Sequence, residues 1–157
     1  GTILFQPSPT PSPVPKNIGP GTYTNRELGI KLILPNSTKG LETIMPDRWL
    51  KLYPTNNHNT NMSMIISRIK KIRGNEGTGT YTCEEIIVNG KKLTIANKEI
   101  ERCKLSQNNN TFYEININYP DETNSLALWI TYEYKKPPAK SEFFLFDQII
   151  STLEFIP

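Results

Sequence analysis

Two segments in the second half of the chain alternate between apolar and polar residues. They are TFYEININY, residues 111–119, and SLALWITYEY, residues 125–134. Their apolar positions are Tyr113, Ile115, Ile117, Tyr119, Leu126, Leu128, Ile130, Tyr132 and Tyr134. Because successive side chains of a strand point to opposite faces, a period of two predicts strands with one buried face. The polar sequence PDETN between the segments predicts that they pair as an antiparallel hairpin.

Further strands are predicted upstream of this hairpin. Residues 28–35, LGIKLILP, alternate and end at a proline, whereas residues 61–72, NMSMIISRIKKI, are apolar on both faces, which is typical of a central strand. The segments EEIIV and KKLTI flank Asn89-Gly90, a residue pair that favours a tight hairpin turn. EIERCKL is predicted to follow as another strand. Residues 40–53 are ambiguous, with a short helical turn starting near Pro46 as one option.

The C-terminal segment changes to a helical period. In residues 141–155, SEFFLFDQIISTLEF, the apolar residues fall at helical spacing, and Ser141 is a plausible N-cap. These apolar residues are Phe143, Phe146, Ile149, Ile150 and Leu153. The sequence therefore predicts the α+β class, with an antiparallel β-sheet packed by a C-terminal helix.

The N-terminal segment QPSPTPSPVPK, residues 6–16, carries a proline at every second position. Proline fixes φ and lacks an N–H, so this segment favours an extended polyproline II conformation over a helix or a central strand. The apolar GTILF before it resembles the end of a lost signal or transmembrane segment. We expect a proline-rich stalk that lifts a domain off a membrane, with an interdomain linker as the alternative. The expected organisation is an apolar remnant and stalk over residues 1–21 and one α+β domain over 22–157.

The two cysteines, Cys83 and Cys103, predict one disulfide in an exported protein. The Asn89-Gly90 hairpin would set Cys83 near Ala96, leaving Cys103 roughly 23 Å further along a straight strand. The bond therefore requires the chain to bend around residues 96–99. Two free buried thiols are the alternative.

Several of these motifs together resemble PsbP-type domains. TYTNRELGIKLILP, then PDRW, a late hairpin and the ending FDQIISTLEFI follow the family pattern, over residues 22–156. The resemblance implies a PsbP-like sandwich, an antiparallel sheet flanked by helices, that is usually exported or lipid-anchored and non-enzymatic. The gap between Pro35 and Trp49 is longer here than in the family pattern, and no metal or catalytic residue carries over.

Motifs of the common enzyme classes are missing from the sequence. The single histidine, His58, lies in the polar run TNNHNTN, and one histidine with two cysteines falls short of a usual zinc site. The glycines of residues 73–81 lack the P-loop and Rossmann spacings. A net charge of +3 is too weak to indicate nucleic acid. We therefore expect no cofactor, no metal site and no nucleic-acid partner.

One candidate binding face follows from the predicted hairpin. If Leu128 and its apolar neighbours face the helix, the other face presents Trp129 and Thr131 beside Phe112, Glu114 and Asn116. A tryptophan among polar side chains is typical of sugar- or peptide-binding faces, because the ring stacks while the polar groups hydrogen-bond. The alternative is that a second helix or the stalk covers Trp129.

The expected function is that of a non-enzymatic, extracytoplasmic cell-envelope domain, membrane-anchored like a lipoprotein or secreted. Its tether would be a missing N-terminal segment, and its partner a glycan, peptide or protein at the cell surface. One alternative is a structural subunit of a surface filament or layer that uses the N-terminal arm. Another is an envelope hydrolase or its accessory subunit, which would need a pocket gathering His58, Asp47 or Glu114.

Overall fold

The computed structural model describes residues 15–43, 49–55, 61–70, 80–118 and 126–157. Within these ranges the chain forms fifteen strands, one 3₁₀ helix and one α-helix. The strands are β1 (Lys16–Ile18), β2 (Gly21–Asn25), β3 (Ile30–Leu34), β4 (Thr38–Thr43), β5 (Trp49–Pro54), β6 (Met62–Lys70), β7 (Thr80–Glu85), β8 (Ile87–Val88), β9 (Lys91–Lys92), β10 (Thr94–Ile95), β11 (Lys98–Glu99), β12 (Glu101–Gln107), β13 (Asn110–Asn118), β14 (Leu126–Tyr134) and β15 (Glu154–Phe155). The 3₁₀ helix is Lys140–Phe143 and the helix α1 is Phe144–Ile150.

Eight of the strands form one antiparallel sheet in the order β1-β4-β5-β6-β14-β13-β12-β7. Its longest pairing joins β6 to β14, from Leu126↔Lys70 to Tyr134↔Met62. The predicted pairing of β13 with β14 is confirmed, and so is the central strand, since β6 lies between β5 and β14. Residues 71 and 72 of the predicted strand lie outside the described residues. The ambiguous segment 40–53 contributes β4 and β5, whereas Pro46 lies outside the described residues.

One face of this sheet is buried in the core. Its buried residues are Leu50, Leu52, Met62, Met64, Ile66, Ile115, Ile117, Leu128, Ile130 and Tyr132. They share one hydrophobic cluster with β3 and with the C-terminal helical segment, and β3 itself pairs with β2 and β15 in a three-stranded sheet. Complete burial of a large apolar side chain such as Phe146 contributes about 1.5–3 kcal/mol. The predicted α+β class is confirmed in this form, an antiparallel sheet with one short C-terminal helix.

The C-terminal helical segment starts earlier than its sequence suggests. Ser141 was expected to be the N-cap, but this is wrong, because the first cap position is Ala139. The Glu142 carboxylate accepts the Ala139 N–H at 2.6 Å, which is the bond from the N-cap N–H to the N3 side chain in a capping box. The five apolar residues predicted for the inner face, Phe143 to Leu153, are all buried.

A buried ion pair joins this helix to the sheet. Arg102 of β12 donates to both carboxylate oxygens of Asp147 in α1, at 2.5 and 3.3 Å, and its guanidinium lies 3.9 Å from the centre of the Phe143 ring. Burial raises the pKa of the Asp147 carboxyl, and the contact with Arg102 opposes that rise. Removing one partner of such a pair costs about 3–5 kcal/mol, because the other charge stays buried.

In the part of the chain that the structure describes, three hairpin turns have positive φ at both central residues, as the type I′ turn requires. They are Asn89-Gly90, Ala96-Asn97 and Asn108-Asn109. The first sets Val88 opposite Lys91, as predicted. The second folds β11 back on β10, which is the bend that the disulfide was expected to need.

The predicted disulfide is confirmed. Cys83 and Cys103 lie directly opposite each other on β7 and β12, with a Cα–Cα distance of 4.0 Å and an S–S bond of 2.07 Å. The bond therefore ties the edge strand β7 to the rest of the sheet.

The opposite edge of the sheet contains the end of the N-terminal segment. Residues Lys16–Ile18 form β1 and pair with β4, so this part of the expected stalk belongs to the sheet. The apolar remnant and the proline repeat up to Val14 lie outside the described residues. Among the described helices, none is long and apolar enough to span a membrane.

We predict that replacing both Cys83 and Cys103 with alanine lowers the free energy of unfolding by about 3 kcal/mol, because the bond closes a loop of 20 residues in the unfolded chain. Urea denaturation of the oxidised protein and the double variant measures the difference. A reductant should destabilise the native protein and leave the double variant unchanged. Two titratable thiols in the native protein before reduction would contradict the assignment.

Ala96 occupies the left-handed region with φ of 51°, where a residue other than glycine, asparagine or aspartate costs about 1–2 kcal/mol. We expect Ala96→Gly to raise the free energy of unfolding by about 0.5–1 kcal/mol, since the relief of this strain exceeds the entropy cost of glycine. Ala127→Gly is the control, because Ala127 lies inside strand β14 and outside the left-handed region, so glycine should lower the stability there. Equal destabilisation of both variants in urea melts would refute the explanation.

Candidate functional site

The candidate site lies on the outer face, which we define as the face of the eight-stranded sheet opposite the core. One row of register partners across this face is Trp49, Ser67, Trp129 and Asn116. The next row is Lys51, Ile65, Thr131 and Glu114. The structure thus places Trp129, Thr131, Glu114 and Asn116 together, as the predicted register of the hairpin requires. Phe112 lies two residues before Glu114 on β13 and is 51% exposed.

The carboxylate of Glu114 organises the centre of the outer face. Its Oε2 accepts the indole N–H of Trp129 at 2.9 Å, and its Oε1 accepts the hydroxyl of Tyr81 at 2.9 Å. The side-chain amide of Asn116 donates to the same Oε1 at 3.3 Å. These bonds fix the orientation of the half-buried Trp129 ring and satisfy its polar N–H. The indole ring is therefore held at a defined angle on the sheet.

Tyr81 is the residue of this cluster that the sequence analysis missed. It lies on β7, two residues before Cys83, and its register partner is Leu105 of β12. The alternation of TYTCEE together with the Cys83–Cys103 pairing would have placed it on the outer face. Burial raises the pKa of Tyr81 to about 12, and its hydrogen bond to the Glu114 carboxylate adds to the rise.

A cleft of about 590 Å³ opens at one end of the outer face, where β4, β5, β6 and β14 lie side by side. We call it the lysine cleft and define it by Lys39, Lys51, Tyr53, Ser63, Glu133 and Lys135, which all line it. No local pattern in the sequence assigns these residues to a site. They come from strands that are distant in the sequence, and their lysines resemble those scattered over the rest of the chain.

The charged groups of the lysine cleft have defined neighbours. Lys51 Nζ lies 2.7 Å from Glu133 Oε2 in a partly exposed ion pair. Lys39 Nζ lies 5.1 Å from the centre of the Tyr53 ring, within the range of a cation–π contact.

The residues named for an envelope hydrolase are His58, Asp47 and Glu114. His58 and Asp47 lie outside the described residues, so only Glu114 of that group is placed. The ligand atoms of Cys83, Glu101 and Cys103 lie within 4.8 Å of one another. However, the two sulfurs are bonded to each other, and metals bind the thiolate form of cysteine.

In comparisons with protein-family models, curated proteins and solved structures, the chain matches none. The function is therefore inferred from the residues of the outer face.

The raised pKa of Tyr81 predicts a loss of stability in alkali. Because the folded protein holds this proton up to about pH 12 while the unfolded tyrosine loses it near pH 10, the stabilisation is complete below pH 10 and is lost as the pH rises to about 12. The raised pKa values of Tyr23 and Tyr132 act in the same direction. Urea denaturation at a series of pH values from 8 to 11.5 should show the free energy of unfolding falling only above about pH 10.

A matched pair of variants assigns part of this effect to Glu114. In NMR titrations of ring-labelled tyrosine, Glu114→Gln should bring the pKa of Tyr81 closer to its ordinary value, because a neutral amide removes the negative charge. Glu133→Gln, on the same face but not bonded to Tyr81, should leave it unchanged. A Tyr81 that titrates near pH 10 in the native protein would contradict the described network.

Proposed function

We propose that the chain is a non-enzymatic, extracytoplasmic cell-envelope domain that binds a glycan or peptide through its outer face. The proposal includes a proline-rich stalk, formed by the N-terminal segment, that holds the domain off a membrane. A disulfide in a small domain is weakly compatible with an oxidising compartment and so supports the location. The proline repeat and the PsbP-type resemblance support an exported, tethered module, and both stay predictions.

The observation that carries the binding role is the fixed Trp129 ring among hydrogen-bonding side chains. A ligand that stacks on the ring meets Asn116 in the same row and Thr131 in the next row. Trp49 lies in the row of Trp129, on the other side of Ser67. Because Glu114 already holds the indole N–H at 2.9 Å, little side-chain entropy is lost when a ligand binds. A rigid aromatic ring with polar neighbours is suited to sugar rings and to peptide backbones.

The layout of the molecule leaves this ring on the side away from the core. The three-stranded sheet and the helix share the core cluster with the opposite face, where Leu128 and Ile130 are buried. Trp129, between these two residues on β14, therefore points the other way. Phe112 is 51% exposed on the same face and extends the apolar surface that a ligand can cover.

We predict that Trp129→Ala weakens ligand binding by about tenfold or more, as expected for a central aromatic anchor. Glycan and peptide arrays would identify a ligand, and tryptophan fluorescence or calorimetry would give its affinity. Phe144→Ala is the matched control, because Phe144 is 60% exposed but lies on the helix. Circular dichroism checks that both variants fold.

Two outcomes would contradict the proposal. One is unchanged affinity of Trp129→Ala for the identified ligand. The other is the absence of binding to every glycan and peptide presented, with both tryptophans shielded from acrylamide quenching in the free protein.

A further inference from the structure

We propose that the lysine cleft binds the acidic groups of an anionic polysaccharide whose sugar rings continue along the outer face. This inference rests on the proposed binding function and adds the chemical class of the ligand.

The charge of the lysine cleft selects an anion. Among the described residues, three lysines line it against one carboxylate, Glu133, which is paired with Lys51 at 2.7 Å. The two remaining cations, Lys39 and Lys135, have no carboxylate partner among the residues that the structure describes. A ligand with acidic groups would supply the missing countercharge, and hydrogen bonds between charged partners are the stronger ones.

The shape of the cleft fits sugar rings better than a compact ion. Its volume of about 590 Å³ is within the ordinary range for ligand sites. Tyr53 provides an aromatic wall, and Lys39 lies 5.1 Å from the centre of its ring. An acidic sugar stacked near this ring would therefore present its carboxylate or sulfate to Lys39.

The backbone at Lys135 and Lys136, at the edge of the lysine cleft, is held in place before any ligand binds. The Asn61 side-chain oxygen accepts the N–H groups of Lys135 and Lys136 at 3.1 and 2.8 Å. The Asn61 amide donates to the Lys136 carbonyl at 3.2 Å and to Glu142 at 3.0 Å. One side chain thus fixes the backbone from which Lys135 extends, which lowers the entropy cost of using that lysine.

The cleft adjoins the tryptophan row. Lys51 lies two residues from Trp49 on β5, a distance of roughly 7 Å along a strand. Thr131 lies between Trp129 and Glu133 with the same orientation on β14. An extended chain can therefore place acidic groups in the lysine cleft and neutral ring faces on the tryptophans.

Four polymers test the assignment on the full chain by calorimetry. The probes are neutral dextran, carboxymethyl-dextran and poly-glutamate, with dextran sulfate to distinguish carboxylates from sulfates. We expect carboxymethyl-dextran or dextran sulfate to bind about tenfold or more tightly than dextran. Poly-glutamate of equal charge should bind more weakly than the better of the two charged dextrans.

The variants separate the cleft from general charge. Lys39→Gln with Lys135→Gln should weaken binding of the charged dextran by about tenfold or more, whereas Lys91→Gln with Lys104→Gln, which removes the same charge elsewhere, should have little effect. Equal losses of affinity in the two double variants would overturn the inference. So would poly-glutamate that binds as tightly as the charged dextrans, or a protein that binds none of the dextrans.

The same experiment distinguishes failure of this inference from failure of the proposed function. Loss of binding in Trp129→Ala with no effect of the Lys39 and Lys135 changes overturns the lysine cleft and leaves the outer face as the site. Loss in the lysine variant with none in Trp129→Ala supports the cleft as an anion site and contradicts the role of Trp129.

Discussion

Strands β6 and β14 run antiparallel at the centre of the eight-stranded sheet and pair over the full length of each strand, from Leu126↔Lys70 to Tyr134↔Met62. Side chains alternate between faces, so a slip of one residue would exchange every inward residue of β14 for an outward one. Ile130 would leave the core and Trp129 would enter it. The same pairing therefore holds the core together and sets the residues of the outer face.

The edge of the sheet beyond β13 depends on two further links. The Cys83–Cys103 bond holds β7 to β12, and the Arg102–Asp147 ion pair holds β12 to the helix. Because Tyr81 lies on β7, its hydrogen bond to Glu114 needs the edge strand to be in place. The links that stabilise this edge thus also support the polar network around Trp129.

The outer face combines two kinds of surface. Around Trp129 the polar groups are bonded to one another, and Glu114 alone accepts three donors, which fixes the aromatic ring. In the lysine cleft two cations lack a described carboxylate partner. A binding domain with such a face would recognise ring surfaces at one end and acidic groups at the other, and this chemical division underlies the proposed class of ligand.

Local patterns in the sequence determined the strands β3, β6, β13 and β14, the buried helix residues, the Asn89-Gly90 turn and the grouping of Trp129 with its hairpin neighbours. Each depends on a period or on a turn preference that a few consecutive residues express. Only the tertiary structure decided that Tyr81 reaches Glu114 and that β4, β5, β6 and β14 form the lysine cleft. These contacts join strands far apart in the chain, and alternation specifies which face a residue occupies but not which strand lies beside it.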